Sequence, residues 1–153
     1  MIWTLLATLS FAGEPGVHDA LWRQLLARDG FVGCDAVWAL GEAPVVRAEL
    51  IAATKASQPP WAPMRAAACV AERAGTDDVA LAEVSRWMAD PAVPGLALVA
   101  VDALDGWTEA RALPIAKLAS ARLPTDRVFA RYAPRSLAAS HHPAVRALSP
   151  LQP

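Results

Sequence analysis

Arg127, Arg131 and Arg135 recur at i, i+4 and i+8, with Arg122 just upstream. On one helix that spacing sets guanidinium groups along a ridge able to grip phosphate or carboxylate. Pro134 stands directly before Arg135 and is expected to interrupt the helix, removing Arg135 from the stripe. The bland alternative is a solvated arginine face balanced by acids elsewhere in the chain. Trp61 and Trp107 open helices at turns bounded by Pro or Gly, where exposed indoles would form a contact ridge for a partner. Packing of each indole over the preceding helix end is the competing reading. His141 and His142 are adjacent in a polar turn before Pro143. Neighbouring imidazoles rarely hold one ion together, and no Cys, Asp or Glu with ligand spacing stands near them in the sequence, so exposed histidines and no metal are expected. The acid or base candidates His18, Asp102 and Asp105 are scattered. The sequence contains no nucleophile elbow, phosphate loop, His-Glu-x-x-His or paired-carboxylate motif. No catalytic residue and no cofactor are therefore expected.

The chain has 153 residues, 55% of them hydrophobic and 19% charged, which excludes a disordered class and fits one folded domain. Its net charge of -1 hides an asymmetry. After Ala110 stand seven basic side chains (Arg111, Lys117, Arg122, Arg127, Arg131, Arg135 and Arg146) against the single acid Asp126, a net +6, which leaves -7 on the rest. Such a dipole invites a charged partner. Nucleic acid is the weaker case, because the whole-chain pI is near 6.3.

Positioning any such residues falls to helices. Alanine is abundant and β-branched residues never form alternating runs, so the local bias is helical. Leu96, Val99, Ala100, Ala103 and Leu104 follow the helical period, as do Met64, Ala67, Ala68 and Ala71. Leu21, Trp22, Leu25 and Leu26, and Val128, Phe129, Tyr132 and Ala133, give the same kind of face. Trp22, Trp38 and Trp87 lie on such faces and are expected in the core. Turn clusters at 30–33, 41–44, 57–60, 75–78, 90–94, 106–108 and 123–126 bound helices of about 10 to 15 residues. Asp90 before Pro91 is expected to open a helix, and Thr76 and Thr125 stand before acids suited to a helix N-terminus. Connections this short make consecutive helices antiparallel neighbours.

Gly41, Gly75 and Gly106 each close an apolar helix, at separations of 34 and 31, and nine residues after each comes Leu50, Val84 or Ile115. Two helices in a period just above 30 mark stacked hairpins. The stretch from Met64 to Asp78, with its Arg-Ala-Ala helix ending in Gly and an acidic turn, resembles the second helix of a HEAT repeat. Trp87-Met-Ala-Asp90-Pro-Ala-Val is similar to that family's inter-helix turn. The resemblance covers roughly residues 17–140 and is specific between Pro44 and Leu118. It implies an all-α fold, a short right-handed solenoid of about four antiparallel helical hairpins, and a binding scaffold in place of an enzyme. The repeat alignment also sets Cys34 and Cys69 on neighbouring stacked helices. In an exported chain they tend to pair; in cytosol two such cysteines are inert small hydrophobes. Both readings stand at this level.

Met1 to Ala12 is short and apolar, and Ser10 and Ala12 occupy the -3 and -1 places of a cleavage site before Gly13. It reads as a signal peptide, with a buried first helix of a cytosolic protein as the alternative. A spanning helix needs roughly 20 apolar residues and about 11 are present. The expected organisation is a leader at 1–12, a HEAT-like domain at 13–144 and a tail at 145–153. The expected function is a non-enzymatic protein-binding scaffold, periplasmic or secreted. The alternative is an anion or nucleic-acid binding module built on the arginine-rich C-terminal helices.

Overall fold

The computed structural model describes residues 15–57 and 59–151, so the expected leader at 1–12 lies outside the described residues. Helix periodicity and breakers translate directly into elements. The helices are α1 (Pro15–Leu26), α2 (Cys34–Trp38), α3 (Ala43–Ala53), α4 (Trp61–Arg73), α5 (Asp78–Ala89), α6 (Pro94–Ala103), α7 (Glu109–Arg122), α8 (Arg127–Ala139) and α9 (Pro143–Arg146), with a 3-10 turn at Leu104–Gly106. The fold is all-α among the described residues. Each expected turn cluster marks a junction between two of these helices, with Ala43, Pro44, Asp78 and Pro94 already inside the helix that follows. Gly30 and Gly33 take φ of 79° and 92° in the link from α1 to α2, a region that favours glycine.

Caps fall one residue later than the threonines suggest. Asp77 accepts from the amides of Val79 and Ala80 at 2.9 and 3.0 Å, and Asp126 from that of Phe129 at 2.9 Å. Thr76 and Thr125 turn their hydroxyls back to the carbonyls of Arg73 and Arg122. Asp90 does not open a helix either. Its carboxylate accepts from Ala92 N in a turn, and α6 starts at Pro94. Pro134 does not interrupt α8, which runs on to Ala139. Ala133, Pro134 and Leu137 are all buried, and the Ser149 hydroxyl donates to the Pro134 carbonyl at 2.8 Å. Tertiary packing thus outweighs the local cost of proline in a helix.

The apolar faces meet in a regular order. Helix α4 packs on α6 and α6 on α8, while α5 packs on α7 and α7 on α9, with each helix from α3 to α9 also touching the next one along the chain. Between them lies one core in which Leu21, Leu25, Leu50, Val84, Trp87, Phe129 and Leu137 are fully buried. Leu50, Val84 and Ile115, the aliphatics nine residues after each marker glycine, are all inside it. Trp22 and Trp38 are only partly buried against it. At the N-terminal end a disulfide joins Cys34, the first residue of α2, to Cys69 in α4. At the other end packing runs past the expected boundary at 144, since Val145 and Ser149 are buried and Ser120 Oγ donates to the Leu148 carbonyl at 3.3 Å.

Candidate functional site

Helices α4 and α6 pack together, each burying several alanines, and residues of both line a furrow. Ala68 and Glu72 from α4, Val99, Asp102 and Ala103 from α6, and Gly106 and Trp107 beyond it enclose about 580 Å³. Its floor is apolar, and the Glu72 and Asp102 carboxylates supply negative charge. Asp102 also accepts from the Ser136 hydroxyl of α8 at 2.5 Å. Trp61, Met64, Ala68 and Glu72 share the exposed face of α4 by helical spacing. Trp61 therefore stands on the side of α4 that carries the furrow, 40% exposed, with Met64 at 38%.

The other aromatic singled out by sequence behaves differently. Trp107 is buried, and its indole donates to the Ala71 carbonyl at 3.0 Å. Gly75 makes room for it, because a Cβ there would meet Trp107 Cδ1 at 2.8 Å. The indole closes one end of the furrow and offers no half-exposed edge.

The four arginines also separate. Arg122 is buried at 7% exposure and lies off any ridge. It holds Asp126 with two nitrogens at 2.9 and 2.7 Å, donates to the carbonyls of Trp87 and Met88, and lies over the Phe129 ring. The Phe129 amide first, and then the Arg122 guanidinium, hold the Asp126 carboxyl below its ordinary range against the opposing effect of burial. Arg127, Arg131 and Arg135 are exposed on α8, which continues through Pro134 and so keeps all three on one helix. Val128 and Tyr132, each about half exposed, flank them.

His141 and His142 are not both surface residues: His142 is buried, and its Nε2 has no hydrogen-bond partner among the described residues. An unpaired buried polar atom costs about 1–3 kcal/mol. Asp105 arrives beside the pair, accepting from Ser140 Oγ at 2.6 Å and from the His141 amide at 3.2 Å, with His141 Nδ1 at 3.4 Å. Burial pushes the Asp105 carboxyl up, but the Ser140 hydroxyl and the His141 amide and imidazole outweigh it and hold the group below its ordinary value. A search for ligands close in sequence misses Asp105, which stands 36 residues before His141. The available signal was the spacing of Gly41, Gly75 and Gly106, 34 and 31 residues apart, which is close to the 36-residue reach of this contact.

Comparison of the chain with family models, with curated proteins and with solved structures returns no match.

Proposed function

We propose that the chain is a short HEAT-like α-solenoid that acts as a non-enzymatic scaffold in an oxidising, extracytoplasmic compartment and holds a basic, amphipathic segment of a protein partner against α4 and α6. The observation that carries this reading is the furrow: an apolar floor of small side chains takes hydrophobic anchors, and Glu72 and Asp102 select positive charge. Support for the solenoid comes from the reach of the inter-helix polar contacts. His18 to Glu49, Arg47 to Asp77, Arg122 to Trp87, Asp102 to Ser136 and Asp105 to Ser140 span 30 to 35 residues, about one repeat each. Support for export comes from the bond between Cys34 and Cys69, which persists in oxidising compartments.

Photo-crosslinking in the native host tests the reading. A photoreactive residue at Ala68 or Val99 is expected to trap one protein species through a basic segment, whereas the same residue at exposed Val79 on α5 traps none. Absence of adducts at both furrow positions overturns it. A second reading rests on the unbroken course of α8, which keeps Arg127, Arg131 and Arg135 together for an anionic partner. That reading requires retention on heparin at low salt, steep loss with rising salt, and loss of retention when the three arginines become Gln.

A further inference from the structure

The 3-10 turn after α6 carries Asp105, and the link from α8 to α9 carries His141 and His142. One donor atom from each lies within 4.8 Å of the others. We propose that these three side chains form a binding site for a divalent transition metal of the zinc class, with the fourth position open to water.

Three observations support this assignment. His142 is 8% exposed, and its Nε2 is a buried polar atom without a hydrogen-bond partner among the described residues. The two rings lie side by side, centroids 4.1 Å apart at 45°, so that two imidazoles are offered together. The backbone that carries them is already fixed. Ser140 Oγ donates to Asp105 Oδ1 at 2.6 Å, His142 N donates to Ser140 Oγ at 3.2 Å, and Arg146 donates to the Ser140 carbonyl at 2.7 Å. A preformed backbone of this kind lowers the ordering cost of binding.

The donor set selects the ion. Two imidazoles and one carboxylate suit zinc, copper or nickel, whereas magnesium and calcium take mainly oxygen. Donors bound at about 2.0–2.1 Å around a tetrahedral ion lie about 3.3 Å apart. Closure from the present spacing takes rotations of the Asp105 and His141 side chains, both exposed, with Asp105 Oδ1 kept on Ser140 Oγ and the His141 amide and Oδ2 left for the ion. The ion replaces the present contact of Asp105 with the His141 ring, and water reaches the fourth position from their exposed side.

Zinc chloride titrated calorimetrically into the untagged full chain, in a buffer that does not coordinate metal, tests the proposal. The expected result is saturable binding of one ion per chain, weakened at least about tenfold in Asp105→Asn and His141→Ala, a loss that even outer hydrogen-bond partners of metal ligands can cause. His18→Ala, which alters the one remaining histidine of the sequence, leaves the affinity unchanged. Imidazole nitrogen resonances of the unaltered chain provide a readout independent of any variant: zinc shifts those of His141 and His142 and leaves His18 in place. Absence of saturable binding, undiminished binding in both variants, or a zinc response centred on His18 overturns the site.

Discussion

Arg122 and Arg131 carry the same guanidinium into opposite surroundings, and their substitution is expected to read out that contrast. Arg122 is the buried partner of Asp126 and ties two α5 carbonyls to the end of α7. Arg122→Ala leaves those acceptors without their donor and the Asp126 carboxylate without its counter-charge, and is expected to cost about 3–5 kcal/mol. Arg131→Ala, at an exposed site, stays within about 0.5 kcal/mol. Urea unfolding monitored by circular dichroism checks both. The same pair sets an acid limb. The Asp126 carboxyl titrates lower in the folded chain than in the unfolded one, where the value is about 3.9. Its stabilisation is therefore complete above that unfolded value and is lost as pH falls through the folded one. Stability measured from pH 7 downward is expected to drop below about pH 4, and Asp126→Asn makes the drop shallower while lowering stability at neutral pH.

At the scale of elements, the marker glycines do different work although they share a register in the sequence. Gly75→Ala drives a methyl group into the buried Trp107 indole and is expected to cost about 1–3 kcal/mol by overpacking. Gly106→Ala meets open space and is expected to be neutral or stabilising by about 0.4–1 kcal/mol, since the backbone there needs no positive φ. Thermal melts of the two variants separate a packing glycine from a turn glycine. The helices themselves were legible because apolar residues recur every 3.6 positions between clusters of Gly, Pro and Asp. What escaped local reading was whatever packing decides. Pro134 stays helical because neighbouring elements hold it. Arg122 leaves the ridge because α5 carbonyls and Asp126 take it inward, and Asp105 joins the histidines only once α6 and α8 are side by side.

Many side-chain contacts between helices among the described residues span 30 to 40 residues, and this predicts how damage spreads. Among the described residues, α1 packs on α3 and α4, and α9 packs on α7 and α8, so the two ends are joined through the helices between them. The bond from Cys34 to Cys69 closes a 35-residue span at the first end. In the chain-entropy account a loop of that size is worth about 4 kcal/mol. In a cooperative globule that loss lowers the protection of every core amide alike. In a chain of nearest-neighbour units it falls on the units the bond joins. Hydrogen exchange before and after reduction distinguishes the two. Amides of α1 to α4 are expected to lose protection while those of α6 to α8, including the segment around Phe129 and Leu137, keep theirs. Equal loss across both ends would mean that the helices share one cooperative unit.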